Sequence, residues 1–158
     1  MRKIIYQRTD GGISVVTPAF NLNDPAGWTE ADSEQRAWDK LPPDAINPRF
    51  ADESEIPADR TFRNAWKADL TVDMVKAREI HRAKLRDIRK PLLEALDTDY
   101  MRADEAGDTA LKAQIASKKQ ALRDVTDDPA IAAATSPEEL KAVLPSVLTD
   151  ADIKAAKQ

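Results

Sequence analysis

The sequence predicts an α+β chain that is mostly α: an N-terminal β-hairpin, a long antiparallel helical hairpin, and short C-terminal helices. Three observations predict it. Two β-rich runs flank Thr9-Asp10-Gly11-Gly12, and apolar residues recur at mostly four-residue steps between Ala77 and Tyr100. The chain of 158 residues also holds only four glycines against ten prolines, which favours helices joined by stiff connections over a glycine-rich sandwich. Three segments follow: residues 1–58 with hairpin, helix and acidic loop; 59–128 with an arginine-aromatic segment and the helical hairpin; and 129–158 with short helices.

The hairpin strands are expected at Lys3 to Arg8 and Ile13 to Thr17, because a tight turn needs the positive φ that glycine supplies. Pro18 ends the second strand. An isolated hairpin is marginal in water, so this one needs another partner. Thr29 is a plausible N-cap for a helix running to about Leu41, with acids in its first turn. Its stripe reads Ala31, Gln35, Trp38 and Leu41, and Pro42-Pro43 stops it. Asp44 to Pro57 is irregular and acidic, with one short extended candidate near Arg49 to Ala51. Asp59 to Trp66 fits a helical turn or a strand, and a turn feeding a bend is favoured.

Asp73 is a good N-cap for the long helix. Its inward positions are expected at Ala77, Ile80, the stem of Lys84, Ile88, Leu92, Leu96 and Tyr100, with Leu85 and Leu93 beside them. Pro91 removes one backbone bond, so a kink or joint is expected there. Gly107 suits the position after a helix end, and Asp108 or Thr109 can cap a second helix through about Arg123. Leu111, Ile115 and Leu122 would face back. Pro129 breaks the chain. Ser136-Pro137-Glu138-Glu139 starts another helix to about Leu144, and a last turn is expected from Thr149 to Asp152.

Charge is blocked along the chain. From Asp24 to Asp59 ten acids face three bases; from Lys76 to Lys90 seven bases face two acids; from Glu94 to Asp108 six acids face Arg102 alone. This arrangement puts Lys112, Lys118, Lys119 and Arg123 of the second arm beside the acids of Glu94 to Glu105. Exposed pairs contribute about 0–1 kcal/mol each and set register more than stability.

Composition narrows function. Without cysteine there is no disulfide, thiolate chemistry or cysteine-held zinc, and no run of roughly 18–20 apolar residues could cross a bilayer. The N-terminus meets charge and a strand pattern at once, unlike a signal peptide. A cytoplasmic protein is expected, with no cofactor and no membrane partner. His81, the single histidine, reads as an amphipathic residue at a helix interface rather than a base or ligand. Asp97-Thr98-Asp99 with Asp104, Glu105, Gly107 and Asp108 departs from the calcium-loop pattern, because Met101 and Arg102 stand where an oxygen ligand and glycine belong. The basic helix Lys76 to Lys90 could hold phosphates, but the acidic blocks and the lack of interleaved aromatics disfavour nucleic acid. No catalytic constellation is recognisable, so the chain reads as a non-enzyme. Arg60, Phe62, Arg63 and Trp66 allow two readings. Phe62 and Trp66 anchor the hairpin to the helices as core, or the cluster forms a partner surface, where aromatics and arginine concentrate.

Ile56-Pro57-Ala58-Asp59-Arg60-Thr61-Phe62-Arg63-Asn64-Ala65-Trp66 is followed by Val72-Asp73-Met74 with Lys76-Ala77, Ile80-His81-Arg82, Leu85-Arg86 with Arg89, Leu96-Asp97, and Ala121-Leu122-Arg123-Asp124. Over about residues 56 to 130 the chain resembles small proteins of tailed bacteriophages encoded among virion structural and tail genes. Its C-terminal half is similar to the tail-assembly chaperone and tail-fibre-assembly group, through Leu96-Asp97-Thr98-Asp99-Tyr100, then Leu122-Arg123-Asp124 and Pro129. Tyr100 stands where that group usually has tryptophan. The resemblance implies a protein without enzymatic activity that binds other phage proteins, tail or fibre subunits, in the host cytoplasm or the virion. The docking residues expected on this reading are Arg60, Phe62, Arg63 and Trp66 with Arg78, Arg82, Arg86 and Arg89 on the helix face. Homo-oligomerisation through charge-matched helices is a further expectation. The alternative is a nucleic-acid-associated phage protein using residues 76–90.

Overall fold

The computed structural model describes residues 1–149. The α+β, mostly helical class holds: a three-stranded antiparallel sheet precedes a long helix and shorter ones. Compactness divides the chain at Asp73/Met74 into two units, where the sequence suggested cuts at 58 and 128. The reason lies in the core of the first unit. Ile56, Trp66 and Leu70 share one apolar cluster with Ile5, Ile13 and Ala51, so the arginine-aromatic segment belongs with the sheet. The turn expected from Thr149 to Asp152 falls on residues largely outside those described.

In the first unit, β1 (Lys3–Gln7) pairs with β2 (Ile13–Val16) through the expected turn, and the further partner is β3 (Ile46–Ala51) on the other side of β1. The short extended piece is therefore a full edge strand, longer than the pattern suggested. Its polar residues hid it: Asn47, at φ 48°, and Pro48 interrupt the alternation where the register shifts between Ile5 and Gln7. Successive side chains of β1 point to opposite faces, and both Ile4 and Ile5 are buried. The Ile5 face carries the apolar cluster. Phe50, opposite Ile4, stacks at 4.9 Å on Trp38 of α1 (Glu30–Asp39), so this helix covers the other face.

The buried side of α1 differs from the expected stripe. Ala31 and Gln35 are exposed, whereas Ser33 and Glu34 are buried beside half-buried Trp38. Polar partners make this possible. The Ser33 hydroxyl accepts from Trp28 Nε1 at 2.9 Å. Glu34 accepts from the Arg2 backbone and from its Nη2 at 2.7 Å, while the same guanidinium lies 4.3 Å over Phe50. Thr29 caps α1 as expected, in a reciprocal capping box with Asp32.

The second unit is built on α2 (Met74–Glu105), which runs through Pro91 as one helix rather than breaking there. Pro91 and Asp87, whose carbonyl loses its donor, are both exposed, so water can satisfy that group. The inward stripe is Ala77, His81, Leu85, Ile88 and Ala103; Lys84 lies outside it, exposed. Gly107, at φ 69°, ends α2 as expected. Its amide donates to Asp104 and that of Asp108 to Ala103, the paired bonds of a Schellman turn. The Asp108 side chain then caps α3 (Thr109–Asp124). Ile115 and Leu122 are buried against the hairpin, but Leu111 is 44% exposed. Pro129 does not merely break the chain: it occupies the first turn of α4 (Pro129–Ala133), capped by Asp128. Ser136 caps α5 (Pro137–Ala142), which ends earlier than the expected Leu144.

Candidate protein-binding surface

The residues singled out from sequence, for docking or for their charge, separate into three groups. Phe62 and Trp66 are 3% and 2% exposed, and Trp66 sits in the sheet cluster. The core reading of these two is therefore the one the structure adopts, and as partner anchors they are corrected. Their backbone explains it: a 3-10 turn at Arg63–Ala65 and a bridge between Trp66 and Val72 turn the aromatics inward. From the same segment, Arg60 is exposed and Arg63 half-buried.

The second group is the arginines of α2, three of which face inward. Arg89 donates to the carbonyls of Leu122 (3.3 Å) and Arg123, at the C-terminus of α3. Arg82 Nε donates to Thr126 O (3.2 Å) in the turn after α3. Arg78 Nη2 donates to Ala134 O (3.0 Å), at the end of α4. His81 Nε2 lies 3.0 Å from Val143 O, at the end of α5. A helix leaves its last four carbonyls without intrahelical donors, and cations there also suit the helix dipole. The basic side of α2 thus closes the C-terminal ends of the segments that follow it. Arg78, Arg82 and Arg89, expected as docking residues, are half-buried and spend these donors inside the second unit. Arg86 is exposed, in company with Lys84 and Lys90.

His81 has the interface position expected of it. Burial holds its pKa below the ordinary histidine value, with Lys84 and Arg82 adding to the effect and the bond to Val143 opposing it. A neutral ring donating from Nε2 satisfies the Val143 carbonyl.

The third group is the acidic arm. Lys119 pairs with Asp97 and Lys112 with Asp104, and both ammonium groups lie over the Tyr100 ring at 5.1 and 5.2 Å. Asp104 raises the pKa of Lys112. Of the four expected cations, Lys112 and Lys119 make these pairs; Lys118 and Arg123 are exposed. Two of the carboxylates considered for calcium, Asp97 and Asp104, are thus bound to lysines of the facing arm.

A surface the sequence did not single out lies at the closed end of this helical hairpin. Ala103 and Ile115 form the floor of an open groove of about 360 Å³, with Ala106, Leu111, Asp99 and Arg102 around it. Met101, 63% exposed, stands one residue away on α2. The signal in the sequence was the small-residue spacing Ala103-x-x-Ala106 facing Leu111; small residues let another backbone or a large side chain approach closely. Comparison with protein-family models, with curated proteins and with solved structures found no match to this chain.

Proposed function

We propose that the protein is a non-enzymatic bacteriophage structural or assembly protein that binds tail or tail-fibre subunits. The resemblance over residues 56 to 130 motivates the identity of the partner. The observation that carries binding is the groove at the closed end of the α2–α3 hairpin, where an apolar floor lies open beside exposed Met101 and Leu111. Exposed apolar residues gathered beside a recess mark interaction sites more often than singly scattered ones do. Of the charged residues lining it, the acids Asp99 and Asp108 outnumber Arg102, all three are exposed, and the balance favours a basic partner segment. The nucleic-acid alternative loses support, because Arg78, Arg82 and Arg89 are already engaged with carbonyls.

Co-expression with the phage tail and fibre subunits, followed by affinity purification, tests this reading. A tail or fibre subunit should co-purify, and Leu111→Asp or Ala106→Arg should cut its recovery at least tenfold, while Arg86→Ala changes it little. Recovery unaffected by either groove variant, or no co-purifying subunit, overturns it. Mass spectrometry of purified virions then separates a permanent component from a helper acting in the host cytoplasm.

A further inference from the structure

In the second unit, α5 and the residues after it form a short strap laid against α2. The helix of this strap spans six residues, far below the roughly 12–15 that an isolated helix needs in water, so it is ordered by what it packs on. The bonds from Leu140 N to Ser136 O, Val143 N to Leu140 O and Leu148 N to Pro145 O all close within the strap. From outside, the burial of Leu140 and Leu148 and the bond between His81 and the Val143 carbonyl hold it in place.

His81 is 7% exposed, and its surroundings suit an uncharged ring. The neutral ring spends its one N–H, on Nε2, on Val143 O. A second proton would sit on Nδ1, which has no acceptor among the described residues. The added charge would also lack a carboxylate. On α2 itself Arg78, Arg82 and Lys84 stand within one turn of the ring, and Lys84 and Arg82 both oppose a charge on it. On α5 the charged side chains are Glu138, Glu139 and Lys141, all exposed, with Glu139 taken by Thr135. Residues 143–148 and α4 carry no charge, and the turn after α3 brings exposed Asp127 and the Asp128 that caps α4. None of these acids offsets the two cations at the ring. A buried charge without a partner is costly, and here the cost ends as soon as the strap lifts and water reaches the ring.

We propose that residues 136–148 are an acid-released strap: when His81 takes up a proton, the strap leaves α2 while the α2–α3 hairpin stays folded. The hairpin keeps ties of its own, the buried Ile115 and Leu122, the Lys119–Asp97 and Lys112–Asp104 pairs, and the bonds from Arg89 to the end of α3. Opening uncovers Leu140 and Leu148, so acid adds apolar surface to this unit. The open strap leaves His81 at the ordinary histidine value, about 6.5. One proton is bound on opening, so the ratio of open to closed rises below that value by at most about tenfold per pH unit. The rise levels off once the closed form is protonated as well. The inference is independent of the tail-binding reading.

Hydrogen–deuterium exchange of the full chain between pH 7.5 and 5, corrected for the intrinsic pH dependence of amide exchange, tests it. In the wild type the protection of Leu140, Val143 and Leu148 should fall severalfold as pH drops below about 6.5, while that of α3 from Lys112 to Leu122 holds. His81→Gln keeps a neutral donor at the same place and should make the protection of the strap independent of pH. Where that variant alters the circular dichroism spectrum at pH 7, His81→Phe, a neutral ring, takes its place. No loss in the wild type, a loss shared equally by the strap and α3, or the same loss in the neutral variant overturns the proposal.

Discussion

Arginine does different structural work in the two units. In the first, Arg2 and Arg36 bind carboxylates, Glu34 and Asp24, and each also lies over an aromatic ring. In the second, Arg78, Arg82 and Arg89 bind main-chain carbonyls at helix ends. The difference teaches that a basic block in a sequence does not identify its partner. A carboxylate partner titrates and is screened by salt, whereas a carbonyl partner does neither. The two units should therefore respond differently to the same perturbation. They can be followed separately, because all three tryptophans (Trp28, Trp38, Trp66) lie in the first unit while the long helices lie in the second.

The largest expected effect is on the first unit. Trp66→Ala should destabilise it by about 3–5 kcal/mol, the usual cost of emptying a buried aromatic site, seen as an earlier denaturant midpoint in the fluorescence of Trp28 and Trp38. An unmoved midpoint would return Trp66 to the surface role considered from sequence. Next comes Arg89→Met, which leaves the Leu122 and Arg123 carbonyls without their donor. The helical dichroism melt should lose about 1–2 kcal/mol, in the range of a hydrogen bond from a charged group reduced for partial exposure. That loss should be the same at low and high salt; a strong salt dependence would assign Arg89 a carboxylate partner instead.

The smallest effect is the acid response. Burial lowers the pKa of His81 in the folded chain, so the unfolded chain binds more protons once pH falls below the ordinary histidine value, about 6.5. Stability from this source is complete above that value and is lost as pH falls through it. Arg2 and Arg36 hold the carboxyl groups of Glu34 and Asp24 below their ordinary values. Their contribution is complete above the ordinary carboxylate range, about 4, and disappears only as pH falls through the lowered folded values. Between pH 7 and 5 the helical melt should therefore weaken while tryptophan fluorescence holds, and His81→Gln should flatten the helical slope. A slope unchanged in that variant would assign the acid response to other groups.

Much of the helical unit was legible in the sequence, and so was half of its boundary chemistry. Helix starts are written locally: Thr29, Asp108 and Ser136 each cap the residues just after them, because an N-cap acts within one turn. The stop at Gly107 was legible for the same reason. The end of α3 was expected within one residue, at about Arg123, but nothing local marked how its last carbonyls or those of α4 and α5 are satisfied, since Val125, Ala134 and Val143 stand there without glycine. Their carbonyls needed donors from elsewhere, and Arg89, Arg78 and His81 supply them from residues 33 to 62 positions away. The role of those arginines was hidden because a side chain on an amphipathic helix reads alike whether it meets water, a partner or a carbonyl.

The sheet shows the same division. The turn at Gly11 and Gly12 fixed the first pair of strands, but β3 carries Asn47, Pro48 and Arg49, whose polarity reads as loop. Its strand state comes from pairing with β1 across 39 to 48 residues, which no local pattern encodes. The buried Glu34 is intelligible only with Arg2 beside it, and exposed Phe20 and Leu22 only with Arg36 holding their loop. By itself the sequence determined the fold class, the helix starts and the closing turn of the helical hairpin, all set by interactions within a turn or two of chain. Tertiary structure decided which polar groups are satisfied by which, and hence which surface is left open, because a hydrogen bond between distant residues depends on three-dimensional proximity rather than on spacing.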